Sequence, residues 1–322
     1  MRKIISMILC VILIVSAGVI PVSAQTQSVL LTGKCGENLT YVCYDDYTLE
    51  ITGTGDMATY DYYENVAPWY DVRKSITSVK LGDGVTSISQ WAFFECTSLI
   101  SYEVTEQNAN FSSLDGVLFN NDKTTLLAYP MGRAGEYTVP NTVTYIGARA
   151  FADSANLTSV IIPDTVVSMD HYAFRGCTSL ANVQLSNNLT DLNYQVLYNC
   201  PSLKSLVIPK SVKVIAFESF AQYYDSEKDT YLTVEDFTIY GYADSFAETY
   251  AKAEKFNFVI IDEDYGDVNN DGKVSVLDAR TMLVEIANDN ISDTTLHSAD
   301  FNADDEITVK DARLLLVKIA NG

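Results

Sequence analysis

Histidine is nearly absent from this chain: His171 and His297 are the only two among 322 residues. No Gly-x-Ser-x-Gly elbow, no His-Glu-x-x-His pair and no phosphate-cradling glycine loop is present either, so the sequence carries no catalytic signature. Basic residues are few as well. Lys and Arg number 21 against 42 Asp and Glu, which leaves a formal charge of −21. So acidic a chain repels nucleic acid and anionic membranes, and neither is expected as a partner. Beyond residue 20 no apolar run is long enough to span a bilayer.

The one long apolar run stands at the start. Met1-Arg2-Lys3 precedes Ile4 to Ile20, and Val22-Ser23-Ala24 offers small residues for a cut. A basic head, an apolar middle and a small-residue site describe a secretory signal peptide over 1–24, with no membrane insertion after cleavage. The alternative is an uncleaved anchor, because the run approaches spanning length. Cys10 does not make a lipoprotein signal, since Leu9 stands where a small residue is needed. Arg2 and Lys3 are the only charges in 1–24, so residues 25–322 carry −23. Five Cys remain there: Cys35, Cys43, Cys96, Cys177 and Cys200. The odd count argues against a closed disulfide framework. Cys35 and Cys43 flank a predicted hairpin, where a pair and two free thiols are both open.

The middle of the chain repeats. Units open at Ala134, Leu157, Leu180 and Leu203, a period of 23, and an earlier unit opens at Ile76. Between Ile76 and Ala134 lies one longer unit with an Asp115-Gly116 hairpin signal between apolar runs. Stacking the units gives apolar columns. Val79, Tyr137, Val160, Val183 and Leu206 form one, and Leu81, Val139, Ile162, Leu185 and Ile208 form another two residues on. That alternation predicts a short strand with one buried face. Pairs such as Val143/Ile146 and Val166/Met169 predict a second extended piece, and Ala92-Phe93, Ala150-Phe151 and Ala173-Phe174 predict a turn or short helix plugged into the core. Cys96, Cys177 and Cys200 share one repeat position and read as core thiols. No unit buries its face alone, so the units must stack as a solenoid.

The pattern is clearest at Leu157–Ser179, and loosens at Leu180–Ser202, where Val196-Leu197 replaces Ala-Phe. It resembles the BspA-type leucine-rich repeats of secreted bacterial surface proteins, over roughly Ile76 to Ile261. Gly33 to Leu39, Leu49 to Gly55 and Ala67-Pro68-Trp69-Tyr70 look like that family's N-terminal cap, and Phe237 through Ile261 like its C-terminal cap. His171 falls at an outward repeat position, held elsewhere by Gln90 and Ala148, and reads as an exposed turn residue, as does His297. The aromatics Tyr60, Tyr62, Tyr63, Trp69 and Tyr70 either stack on sugar rings or pack as part of the cap. Tyr223 and Tyr224 are equally open.

The last sixty or so residues carry one motif twice. Asp267, Asn269, Asp271, Ser275 and Asp278 place oxygens at loop positions 1, 3, 5, 9 and 12, and Asp300, Asn302, Asp304, Thr308 and Asp311 repeat them 33 residues later. A hard cation such as Ca²⁺ takes about six to eight oxygens, with the position-7 carbonyl turned inward; here that is the backbone of Lys273 and of Glu306. Gly272 supplies the sharp turn at position 6, where the second loop has Asp305. Val274 and Ile307 at position 8 let the loops back onto each other. Each loop precedes an apolar helix, ending at Asn288 and Asn321.

No helix precedes either loop, and position 12 is Asp rather than Glu. Loop then helix, twice, over Gly266–Gly322, resembles a type I-like dockerin, the module that attaches secreted proteins to cohesins on scaffoldins in cellulosome-type assemblies. The resemblance implies two Ca²⁺ ions and a cohesin partner. In that family loop positions 10 and 11 and the following helix face the partner, which points to Val276, Leu277 and Arg280 and to Val309, Lys310 and Arg313. Leu277 is either an interface anchor or a residue packed inside the module.

The expected fold is mixed β/α. A BspA-type solenoid with a parallel β ladder (76–262) follows a β-rich N-terminal cap (25–75) and precedes a small all-α dockerin (263–322) with two calcium loop-helix motifs. The leading functional expectation is a secreted, non-catalytic binding protein of a cell-surface assembly. Its solenoid would hold a polysaccharide or a surface protein, in the context of polysaccharide breakdown. A glycoside hydrolase-type enzyme of the same assembly and an adhesin for host or neighbouring-cell protein are the alternatives. Acidic pairs are too abundant to mark a glycosidase, whose two carboxylates face each other across a cleft. A solenoid of this size is expected to offer no such cleft by default.

Overall fold

The computed structural model describes residues 27–225, 227–261, 266–269, 273–292, 299–301 and 306–321. The segment 1–24 expected to be a signal peptide, with Cys10, the tether 262–265, His297, and the loop residues Asp271, Gly272, Asn302, Asp304 and Asp305 lie outside the described residues.

Alternation at Leu39, Tyr41 and Cys43 builds the cap. These three residues point inward from β2 (Leu39–Tyr44), which lies antiparallel between β1 (Val29–Lys34) and β3 (Thr48–Asp56). A parallel pairing of β3 with Ser78–Leu81 then passes the hydrogen-bond ladder to the first repeat. The meander so covers the edge that an open solenoid end would expose. Trp69, fully buried, donates from Nε1 to the Ala92 carbonyl at 2.8 Å and locks the cap to that repeat. Cys35 and Cys43 are buried free thiols.

Repetition in sequence becomes two parallel lanes. One runs through Ser78–Leu81 and Ser101–Val104, then Gly135–Thr138, Leu157–Ile161 and Asn182–Gln184, then Ser205–Val207, Thr238–Gly241 and Asn257–Ile260. The other includes Thr125–Ala128, Tyr145–Ile146 and Ser168–Met169, and further on Asp191–Leu192 with Val214–Ile215. The Ala-Phe segments are turns, not helices. Their backbones bond from unit to unit: Phe151 N–H to the Ala173 carbonyl at 2.7 Å, Phe174 to Val196 at 2.8 Å, Leu197 to Ser219 at 2.7 Å. Phe151 and Phe174 stack with centroids 4.4 Å apart. Cys177 and Cys200 lie fully enclosed in this layer and donate to the Phe151 and Phe174 carbonyls. Burial raises both thiol pKa values, that of Cys200 to about 12. The hairpin at Asp115-Gly116 forms as expected, with φ of 49° and 76° suiting a type I′ turn.

The far end closes with helix α1 (Phe246–Glu254), whose N-terminus is capped by Ser245, and with Phe220, Phe237, Tyr250 and Phe256 packed under it. The dockerin-like segment pairs helix α2 (Val276–Ala287) with α3 (Val309–Asn321). Val268, Ala279, Met282, Ala299, Ala312 and Leu315 form its core, with Val274 and Ile307 packed against it. Gly266 has φ of 108°, and a Cβ there would press on Phe301, Leu315 and Val274.

Candidate functional site

Asp278 and Asp311 both reach back to the start of their loops, Asp278 to loop position 3 and Asp311 to position 2. Asp278 is buried and accepts from the Ser275 N–H at 2.7 Å, the Ser275 hydroxyl at 3.2 Å and the Asn269 N–H at 3.0 Å. Asp311, also buried, accepts from the Thr308 N–H at 2.9 Å, the Thr308 hydroxyl at 3.1 Å and the Phe301 N–H at 2.9 Å. The position-12 carboxylate thus closes each loop onto its own helix, and Ser275 with Asp278 forms a capping box at the start of α2. Asp267 and Asp300, the first ligand positions, are buried as well. Buried carboxylates are costly without a compensating cation or donors, and an all-oxygen donor set suits a hard divalent ion. No cluster of three or more His, Cys, Asp or Glu able to hold a metal occurs among the described residues.

The expected partner faces differ between copies. Val276, Leu277 and Arg280 are all exposed, Leu277 by 54%, so Leu277 does not pack inside the module. Leu283 and Val284 extend this apolar strip along α2. Val309, Lys310 and Arg313 on α3 are exposed too, but Arg313 forms an ion pair with Glu136 of the solenoid. Lys310, Arg313 and Leu314 share a small cleft with Ser159, Ile161 and Asn182 of the first strand lane.

The solenoid has a cleft, though not one with two carboxylates facing each other. Two adjoining hollows of about 560 Å³ each share Trp91, Phe94, Met131 and Asp153. Their origin is the long second unit. Leu126 pairs with Ile146, yet Tyr129 follows Leu126 by three positions whereas Phe151 follows Ile146 by five. Tyr129 nonetheless takes the plug position: its N–H bonds the Ala150 carbonyl at 2.7 Å and its ring stacks on Phe151 at 5.0 Å. The second unit therefore lacks two residues of the outer bulge. Phe93 of the first unit packs on Trp69 and Tyr102 instead, and the hydrophobic core divides in two at this place.

Side chains from the flanking bulges enter the gap. Arg149 crosses it to lie over Trp91 at 4.4 Å, with Tyr172 at 4.5 Å beyond. Arg175 lies 5.8 Å from Tyr172 and 5.7 Å from Tyr198. Burial, with the neighbouring Arg175, lowers the Arg149 pKa. Asp153 is raised above the usual carboxylate range, because burial outweighs the two guanidiniums. His171 stands half-exposed at the rim and pairs with Asp170, as a turn residue should. Of the aromatics in question, Tyr60 and Trp69 are buried in the cap, whereas Tyr62 and Tyr63 are exposed by 41% and 84% beside Trp91 and Phe94.

Comparison with known proteins agrees with this architecture. The BspA type leucine rich repeat region family matches residues 70–131 and 133–228 in six copies, and the dockerin type I domain matches residues 265–320. No curated protein matches the chain. Among solved structures, the pneumococcal vaccine antigen PcpA is 21% identical over 58% of this chain, with a TM-score of 0.43; the chain spans 56% of that protein's length. A leucine rich cell surface protein from Faecalibacterium prausnitzii is 16% identical over 71% of this chain and 94% of its own, with a TM-score of 0.43. A leucine-rich repeat protein from Bacteroides capillosus is 30% identical over 36% of this chain and 97% of its own, with a TM-score of 0.32. Type I dockerin domains typically bind calcium and imply a cohesin partner. Dockerin and BspA-like proteins are typically extracellular or surface-associated. No helix among the described residues is long and apolar enough to cross a membrane. The chain is a BspA-type leucine-rich repeat protein that ends in a type I dockerin domain.

Proposed function

We propose that this is a secreted binding protein of a cellulosome-type, polysaccharide-degrading assembly. Its dockerin takes two Ca²⁺ ions and docks onto a scaffoldin cohesin, while the solenoid holds a polysaccharide or protein target. The observation that carries the docking half is the exposed strip Val276, Leu277, Arg280, Leu283 and Val284 on α2, beside a loop in which Asp267 and Asp278 are buried. Apolar side chains in water next to a rigid, ion-filled turn make a surface suited to partner burial. Calcium would offset the negative charge gathered in each loop, which couples docking competence to the ion.

Binding of the full chain to a panel of cohesins, with and without chelator, tests this reading. Calcium-dependent capture is expected, and Leu277→Asp is expected to weaken it by tenfold or more, the order seen for interface anchors. Capture that survives chelation, or a Leu277→Asp chain that takes up calcium and binds like the parent, would overturn it.

A further inference from the structure

The cleft left by the shortened second unit contains two guanidiniums, Arg149 and Arg175, against a single neighbouring carboxylate, Asp153. Residues 1–322 carry −21, yet Arg149 and Arg175 face this gap without an ion pair or side-chain hydrogen bond among the described residues. Aromatic rings hold both guanidiniums in place: Trp91 and Tyr172 around Arg149, Tyr172 and Tyr198 around Arg175. A guanidinium held against ring faces keeps N–H groups for a ligand; Arg149 lies closer to its rings, at 4.4 and 4.5 Å, than Arg175 does, at 5.8 and 5.7 Å. The Nε of Arg175 is buried without a partner. So is the hydroxyl of Tyr129, a cleft-lining residue only 3% exposed. Buried polar atoms left unpaired are rare and call for an explanation. The other charges facing the cleft are few. Glu95 is taken by Arg73 at 2.9 Å, His171 by Asp170, and only Asp153 remains.

We propose that this cleft binds the uronic-acid units of an acidic polysaccharide, with Arg149 and Arg175 gripping sugar carboxylates and Trp91, Phe94 and Tyr62 stacking on ring faces. Guanidinium and carboxylate meet in a two-pronged, charge-assisted geometry. Sugar rings offer apolar C–H faces that exposed aromatics cover. A hollow of about 560 Å³ is within the range of small-ligand sites. An acidic peptide fits less well. A peptide that adds as a strand needs a free backbone edge, and here the turn backbones are bonded within the bulge or to the next unit, as with Ala92, Phe94, Ala152 and Asp153. Asp153, close to both guanidiniums, would oppose a second carboxylate and so sets a limit on affinity.

This proposal rests on the solenoid being a target-binding module, and the test separates it from the dockerin. The full chain with calcium is titrated with oligogalacturonates of defined length, with the same oligomers as methyl esters, with neutral xylo-oligosaccharides and with poly-glutamate. Binding of the free-acid oligomers alone is expected. Arg175→Ala and Arg149→Ala are each expected to weaken it about tenfold or more, Arg175→Lys to keep part of it, and Asp153→Asn to strengthen it. Thermal melting identifies any variant that fails to fold, and the Lys variant then carries the test. Equal binding of esters or neutral oligomers, a preference for poly-glutamate, unaltered binding by both Arg variants, or no binding at all overturns the proposal. Cohesin capture by the same preparations reports on the dockerin alone.

Discussion

At the residue scale, burial decides the chemistry of this protein more than identity does. Asp153 is an example. Its carboxyl pKa is raised, chiefly by burial, so the folded state holds its proton to higher pH than the unfolded chain does. Stability must then fall as pH rises from the unfolded pKa of about 3.9 through the folded value, and stay level above it. Asp153→Asn is therefore expected to melt at higher temperature than the parent at pH 7, with the gap closing as pH falls below about 4. Parallel melting curves from pH 3 to 8 check this; a constant gap would count against it. Asp278 and Asp311 show the opposite use of a buried carboxylate, since each is wrapped by three donors. Asp278→Ala is expected to lower calcium stoichiometry from two ions to one in calorimetry, and Asp311→Ala likewise.

Elements are held by stacking between units rather than by contacts within one. Phe174 is fully buried between Phe151 and the Val196-Leu197 turn, which bonds back to it through the Phe174 N–H. Phe174→Ala is expected to cost about 3–5 kcal/mol, the usual range for a large aromatic lost from a core. Chemical denaturation would read this as a lower midpoint with an unchanged slope. The loops of the dockerin are expected to be elements of another kind, whose like charges would separate on removal of the proposed calcium. Chelation is expected to broaden amide signals over 266–321 while the solenoid signals stay. An unmoved dockerin spectrum in excess chelator would refute the coupling. Period and columns made the strand lanes legible in the sequence, because they depend on side-chain alternation over a few residues; the cap hairpin instead pairs Val29–Lys34 with Leu39–Tyr44, with Cys35 at its turn. The Ala-Phe segments alone left turn and helix open, and the unit-to-unit hydrogen bonds settle them as turns.

Across the whole molecule, the two modules touch. Arg313 on α3 pairs with Glu136 in the first strand lane, 177 residues away in sequence. Both groups are about half-exposed, so the contact is a surface ion pair worth roughly 0–1 kcal/mol. It still holds the second partner face against the solenoid and leaves the first face open. Cohesin is thus expected to bind through α2 first. In a Leu277→Asp background, where binding must rely on α3, Glu136→Lys is expected to raise cohesin affinity about two- to fivefold by releasing Arg313. No difference between the two backgrounds would show that the contact does not compete with docking.

The sequence by itself determined what is repeated locally: the 23-residue period, the buried columns, the thiol layer at Cys96, Cys177 and Cys200, and the paired loops with their Asp at position 12. These follow from short-range rules, alternation in a strand and oxygen spacing around an ion, which any one unit displays. Only the tertiary structure decided where the solenoid opens. The two residues missing before Tyr129 are visible in the sequence as Leu126-Leu127-Ala128-Tyr129, but they make a cleft only once neighbouring units stack on either side. Arg149 and Trp91 meet across that gap from units 58 positions apart. The pairing of Arg313 with Glu136 is likewise invisible to any local pattern. A missing segment has no contacts of its own, so its effect appears only in what the neighbours are left to face.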